Sequence, residues 1–256
     1  MRAMRESDRR ARLVEHLRVD GRASVAQLAS SLDVTPSTIR RDLQRLAGDG
    51  RLVRTYGGAA LNDGLSRVAR ADPRLAAKQA IARAAAGLAA DGSTIAIGSG
   101  TTALALAREI ADRRLTVITN ALDVAWTLVD EPGIELIVLG GAVRPRMHSM
   151  LGHLTEMATR ELRADILFIG IGGISLEHGL MNDWVPEIVS DRALRRTARR
   201  CVVLADARKF DLVAPAYVFG LDAVDTIVTD AAVRPETVDG LRDRDVEVIV
   251  AGEPDR

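Results

Sequence analysis

The chain has 256 residues, 47% of them hydrophobic and 27% charged, with zero net charge and one cysteine. That composition supports a sizeable core in one or two domains, and a lone Cys201 excludes an intrachain disulfide. No uncharged apolar run approaches the roughly 18–20 residues that cross a bilayer, and the opening MRAMRESDRRARL holds no apolar signal core. A soluble cytoplasmic protein without a membrane partner is expected.

The charge is unevenly spread. Residues 1–62 hold 12 Arg and 7 acidic residues, whereas the remainder holds 23 basic and 28 acidic ones. A basic head on an acidic body fits nucleic-acid binding confined to the head.

In chain order, the first helix is predicted over about Ser7–Val19, with Leu13, Val14 and Leu17 as its apolar stripe and Asp20-Gly21 as its stop. Ser24 with Gln27 three residues on reads as a capping box. Val25, Leu28, Ala29 and Leu32 then form one buried helical face. After a turn at Asp33-Val34, Thr35 suits an N-cap and Pro36 the first helical position.

The third helix, Thr35–Leu46, sets Ile39, Leu43 and Leu46 on one side. At about 100° per residue, Ser37, Arg41 and Gln44 lie opposite, with Thr38, Arg40 and Arg45 on the flanks. Packing holds one face while the other offers cationic and hydrogen-bonding groups, the form of a helix that reads the major groove. Arg can pair two donors with guanine and Gln can pair with adenine, so Ser37, Arg41 and Gln44 are the candidate base readers. Thr38, Arg40, Arg45 and Arg54 are the candidate phosphate anchors. Leu52, Arg54 and Tyr56 alternate before Gly57-Gly58, which reads as a β-hairpin wing. The head therefore spans 1–61, and Asn62–Pro73, without apolar period, is the linker.

From Arg74 to Arg256, short apolar runs alternate with helical segments. The predicted strands are Thr94–Ile97, Leu115–Thr119, Glu135–Leu139, Ile166–Ile169, Cys201–Leu204, Thr226–Thr229 and Val246–Val250. This alternation implies a mostly parallel, Rossmann-like α/β sheet with helices on both faces, and places Cys201 as a buried thiol.

Open parallel sheets bind ligands beyond the carboxyl ends of their strands. Small or polar residues occupy five successive ends: Gly98–Thr102 (GSGTT), Thr119-Asn120, Gly140-Gly141, Gly170–Gly173, and Asp206 with Lys209. Ser99, Gly100, Thr101 and Thr102 lie at a helix start, which favours an anion. Lys209 and Arg144 could neutralise a phosphate. One shared small-molecule pocket is expected. Asp183, Glu187 and Asp191 recur every four residues. They could bind sugar hydroxyls, act as acid and base, or be solvated. The four histidines show no i, i+4 metal-binding pair, and no nucleophile elbow is present, so neither metal nor cofactor is implied.

Together these residues resemble the DeoR/GlpR-type bacterial transcription regulators over about residues 7–232. The matching motifs are TIRRDLQRL with GRLVRTYGGA in the head. Further on they are GSGTT, ITNAL (Ile118–Leu122), VLGGAVRP (Val138–Pro145), DILFIGIGGI (Asp165–Ile174) and LADARKF (Leu204–Phe210). The resemblance implies a winged helix-turn-helix on double-stranded operator DNA. It also implies a sensor domain like the sugar-phosphate isomerases, binding a sugar phosphate or polyol-like metabolite at Ser99, Gly100, Thr101, Thr102, Thr119, Asn120, Gly140, Gly141, Arg144, Gly172, Glu187, Asp206 and Lys209. Effector binding typically releases such a repressor, and one short helix reads few base pairs, so a homodimer or homotetramer is expected.

Two positions depart from the family pattern. Gly98 stands where an acidic residue is frequent, and Asp191 where a Lys is frequent four positions after Glu187. Two alternatives follow: a constitutive DNA-binding protein with a degenerate sensor domain, and an isomerase-like enzyme.

Overall fold

The computed structural model describes residues 6–20, 22–48, 52–55, 57–61, 74–145 and 147–252. The chain divides into two compact units, 1–64 and 65–256. The predicted linker, 62–73, lies outside the described residues.

In the first unit, helices α1 (Glu6–Asp20), α2 (Val25–Ser31) and α3 (Pro36–Gly48) are followed by strands β2 (Leu52–Thr55) and β3 (Gly58–Leu61). The short strand β1 (Arg22–Ser24) completes a three-stranded antiparallel sheet in the order β1-β3-β2. The capping box at α2 is formed: Gln27 N donates to Ser24 Oγ at 3.2 Å and Ser24 N to Gln27 Oε1 at 2.8 Å. The predicted stripes of all three helices converge. Leu13, Val14, Leu17, Leu28, Ala29, Leu32, Ile39, Leu43 and Leu46 pack with Leu52 and Ala59 of the wing into one buried cluster. Gly58 is required where β3 meets β1, because a Cβ there would sit 2.2 Å from the Ala23 carbonyl oxygen.

The second unit is a seven-stranded sheet in the order β15-β14-β12-β9-β4-β5-β6, every pair parallel. Its strands are β4 (Thr94–Ile97), β5 (Leu115–Thr119), β6 (Ile134–Val138), β9 (Ala164–Gly170), β12 (Ala198–Leu204), β14 (Thr226–Asp230) and β15 (Glu247–Ala251). All seven predicted strands form. Successive residues of each strand feed opposite faces, as the pleat requires. Ile95, Ile97, Ile166 and Phe168 pack with α4 (Leu75–Ala86), α5 (Thr101–Glu109) and α6 (Leu122–Leu128). On the other face Ala96, Leu167, Ile169, Cys201 and Val203 pack with α8 (Glu187–Thr197) and α9 (Pro235–Arg242).

Two small antiparallel additions went unread in the sequence: the β7 (Ala142–Arg144) and β8 (Ser149–Leu151) pair, and a sheet of β10 (Gly173–Ser175), β11 (Gly179–Asn182) and β13 (Ala216–Phe219). Between β8 and β9 lies α7 (His153–Arg160). From β4 the chain builds outward through β5 and β6, then returns to the other side of β4 with β9 and continues to β15. The strand order therefore reverses between β4 and β9, which opens a crevice at their carboxyl ends.

Candidate DNA-binding face and effector pocket

The α3 helix starts as its sequence dictates. Thr35 Oγ1 accepts from Thr38 N at 3.3 Å and lies 2.9 Å from both the Ser37 and Thr38 hydroxyls. Ile39, Leu43 and Leu46 are buried, while Ser37, Arg40, Arg41, Gln44 and Arg45 are exposed and Thr38 is half-buried. Arg45 is held by an ion pair with Glu6, which also takes Arg10. Arg54 lies on β2 opposite Ala59, and its side chain lies outside the described residues.

One determinant of this helix lies on its buried side. Asp42 is only 1% exposed, and its carboxylate accepts from Arg9 Nε at 2.5 Å and Arg9 Nη2 at 3.2 Å. Arg10 Nε stands 3.6 Å away. The Asp42 hydrogen bond pushes the Arg9 guanidinium pKa up from its already high value. This pair spans 33 residues and ties α1 to α3 by a directional, charge-assisted contact that apolar packing alone cannot supply.

In the second unit, a cavity of about 270 Å³ lies at the crevice between β4 and β9. Ser99, Gly100, Thr101 and Thr102 line it from the β4–α5 junction, and Gly172 from the end of β9. Asp206 and Lys209 follow β12, Arg144 comes from β7 and Glu187 from α8. Gly100 caps α5 at φ 113° with no side-chain cap, so the first-turn amides of that helix receive no hydroxyl or carboxylate oxygen from it. Such amides and the helix dipole favour an anion. Lys78 Nζ stands 2.5 Å from Thr101 Oγ1 on the same wall, and Lys209 Nζ donates to the Gly172 carbonyl at 3.2 Å.

Asp206 holds that wall together. It is 1% exposed, accepts from Arg208 N and Nε at 3.1 Å each, and lies 3.6 Å from Arg74. Burial works to raise its pKa, but the Arg208 hydrogen bonds, with the charges of Arg208 and Lys78, outweigh burial and hold it below the usual carboxylate range. Burial pushes the Lys209 pKa down against the pull of Asp206.

Another part of the lining is acidic. Arg144 Nη1 donates to Glu187 Oε2 at 2.6 Å, lies 3.6 Å from Asp183, and stacks 4.5 Å from the Trp184 ring. Ser149 Oγ donates to Glu187 Oε1 at 3.1 Å. Asn182 accepts from Gly172 N at 2.8 Å and donates to Asp191 Oδ2 at 2.5 Å. Burial pushes the Glu187 pKa up, with Arg144 and Ser149 opposing, and pushes Asp191 well up with help from the Glu187 charge.

Thr119, Asn120, Gly140 and Gly141 do not line this cavity. Their bonds and close approaches go to β4, to the β8 strand and to α7. Thr119 Oγ1 donates to the Ile97 carbonyl at 2.8 Å, and Asn120 Nδ2 donates to the Met150 carbonyl at 3.2 Å while Met150 N donates to the Asn120 carbonyl at 2.6 Å. Thr155 Oγ1 donates to the Gly140 carbonyl at 2.5 Å. A Cβ on Gly141, at φ 144°, would lie 2.5 Å from both Leu151 O and Thr155 Oγ1.

A family model for the DeoR C-terminal sensor domain matches residues 74–231, and one for the DeoR-like helix-turn-helix domain matches 9–64. The chain belongs to the DeoR family. It is 34% identical over 233 residues to the transcriptional repressor AccR of Agrobacterium fabrum, covering 89% of this chain and 90% of that one. It is 30% identical over 249 residues to the glycerol-3-phosphate regulon repressor of Escherichia coli K12, covering 96% and 99%. Among solved structures it matches ribose 5-phosphate isomerase A of Methanocaldococcus jannaschii at TM-score 0.40 and 20% identity, over 54% of this chain and 55% of that chain.

Within this DeoR-type regulator, the two departures acquire physical context. A Cβ on Gly98 would lie 3.3 Å from Ile169 Cγ1, so a side chain there requires the Ile169 side chain to give by a few tenths of an ångström. Asp191 takes its place in the cavity wall through Asn182. Asn182, Asp183 and Asp191 also line the cavity, as ligand-binding side chains of that segment would, and Lys78 completes the lining as a residue the sequence did not single out. The available signal for Lys78 was one lysine inside the otherwise Ala-rich LAAKQAIARAAA, with its place beside Thr101 fixed only by α4 packing on α5. Among the described residues no cluster of His, Cys, Asp and Glu fits a metal ion, and no helix is long and apolar enough to cross a membrane. Cys201 is fully buried and its thiol is pushed up to about 12 by desolvation, which makes it an inert core residue.

The buried carboxyls carry a pH signature. Because the folded Asp191 pKa is raised, the folded chain keeps a proton that the unfolded chain sheds near pH 4. The associated stability is complete below that value and is lost as pH rises through the folded pKa. Asp191→Asn should therefore raise Tm more at pH 8 than at pH 5, leaving the smaller slope that Glu187 supplies. An equal shift at both pH values in thermal melts would refute this assignment.

Proposed function

We propose that this chain represses a carbohydrate-metabolism operon. It binds double-stranded operator DNA through α3 and the wing, as a homodimer or homotetramer in the cytoplasm, and leaves the operator when a sugar phosphate or related metabolite enters the sensor cavity. The observation that carries the reading is one cavity at the β4–β9 switch point, where an uncapped helix start, Lys78 and Lys209 face the Arg144–Glu187 pair. It occurs in a chain whose other unit bares Ser37, Arg40, Arg41 and Gln44 along one helix. The head spans 1–61 and the sensor 74–256 in this reading. The repressor names of the relatives support regulation rather than catalysis. Arg144 and Asn182 already engage Glu187 and Asp191, which supports holding a ligand over moving its protons.

Fluorescence anisotropy on the chain's own upstream DNA, at fixed salt with a panel of sugars and sugar phosphates, tests the whole reading. Tight selective binding relieved by one phosphorylated compound is expected; binding insensitive to the panel would favour the constitutive alternative. Arg41→Ala should cost about 1–3 kcal/mol at the preferred site and relax selectivity there. Arg40→Ala should weaken all sequences alike and reduce the salt slope by about 1. Identical behaviour of the two variants would remove the division between base readers (with Ser37 and Gln44) and anchors (with Thr38, Arg45 and Arg54).

A further inference from the structure

The acidic wall of the cavity is specific to this chain's own residues. Asp191 is 7% exposed and lines the cavity, yet among the described residues the only hydrogen bond to its carboxylate is the one from Asn182 to Oδ2. Asn182 cannot turn away, because its own oxygen is held by the Gly172 amide. Among the described residues no donor reaches Asp191 Oδ1.

Positive charge on this wall is scarce. Among the described residues one guanidinium, Arg144, bonds Glu187 directly and lies within 3.6 Å of Asp183, while Glu187 sits one helical turn before Asp191. The two lysines of the cavity bond Thr101 and the Gly172 carbonyl rather than Asp191. A buried carboxylate with an open oxygen and, among the described residues, no hydrogen bond from a cation gains most from a ligand that brings its own positive charge and N–H donors. A neutral hydroxyl supplies a weaker hydrogen bond and no charge.

We propose that Asp191, with Asn182 and Glu187, forms a subsite for a cationic nitrogen, so that the effector is a phosphorylated compound that also carries an ammonium group, of the amino-sugar phosphate class. The proposal rests on the anion-binding reading of the α5 start with Lys78 and Lys209 for its phosphate half. The cavity is then two-ended: the α5 start with Lys78 and Lys209 takes the phosphate, and the Asp191 wall takes the ammonium. A Lys at position 191 would reverse the preference by repelling that ammonium.

Calorimetric titration of the intact chain tests this at pH 7 with glucosamine 6-phosphate, galactosamine 6-phosphate, their 2-hydroxy counterparts, the unphosphorylated amino sugars and inorganic phosphate. At least one amino-sugar phosphate should bind about tenfold or more tightly than its hydroxy counterpart, matching the gap between charged and neutral hydrogen bonds. Asp191→Asn should bring that ratio close to one. Equal affinities in both sugar pairs, a ratio that survives Asp191→Asn, or no binding by any amino compound overturns the proposal. If an unphosphorylated amino sugar binds as tightly as its phosphate and Asp191→Asn abolishes it, the ammonium subsite stands and the phosphate reading falls. If the phosphates bind and the two members are equal in both pairs, the phosphate reading stands and the ammonium subsite falls.

Discussion

Arg9→Met is expected to destabilise the head by on the order of 3 kcal/mol, the lower end of what breaking a buried ion pair costs. The substitution keeps the apolar stem but removes both hydrogen bonds to Asp42, whose side chain is 2% exposed. Arg10, 3.6 Å away, replaces part of the charge but not the paired geometry. A domain of about 60 residues has only some 3–9 kcal/mol of total stability, so much of the head would be unfolded or loosened. Hydrogen exchange on the intact chain should show lost protection across α1 and α3 and little change in the sheet of the second unit. Operator affinity should fall together with that protection, because α3 is positioned from its buried side. Arg9→Met combined with Asp42→Leu should recover much of the loss, since an apolar pair leaves no orphaned charge. Unchanged protection in Arg9→Met would show that apolar packing alone orients the recognition helix.

The second large effect concerns Arg144→Ala. Glu187 is 5% exposed and would keep only the Ser149 hydroxyl, and Trp184 would lose the guanidinium that stacks on it. A loss of about 3 kcal/mol is expected at pH 8. Burial already raises the Glu187 pKa, and removing Arg144 raises it further. As pH falls the carboxyl takes up a proton more readily and the penalty shrinks, so the destabilisation should be larger at pH 8 than at pH 5. Arg144→Ala with Glu187→Gln should restore most of the stability at pH 8. Denaturant unfolding of the two variants checks this, and an equal loss at both pH values with no rescue would locate the role of Arg144 elsewhere. Even where the fold is rescued, the response of DNA binding to an effector should remain impaired, because both side chains line the cavity.

Local pattern made much of this molecule legible. The caps at Ser24 and Thr35 and the apolar stripes through Leu13–Leu17 and Ile39–Leu46 depend on residues three or four apart, and all form where expected. The seven apolar runs of the second unit become the seven parallel strands, because each is short, β-rich and bounded by turn residues. Chemistry at strand ends was legible for the same reason: Ser99–Thr102, Gly172, Asp206 and Lys209 follow strands that meet at the reversal of strand order.

The sequence by itself determined the elements, their polarity and the family, since each is written in short-range spacing or in a contiguous motif. Tertiary structure alone decided which strand ends share a cavity. Thr119 and Asn120 have the same local character as Ser99 and Thr101, yet their hydrogen bonds go to Ile97 and the β8 backbone, and they are not among the residues that line the cavity. Only tertiary structure showed that Asp42 is the buried partner of Arg9, and that Lys78 meets Thr101 from another helix. Those pairings join residues 33 and 23 positions apart. Their geometry is fixed by how helices and sheets pack, which no local spacing records.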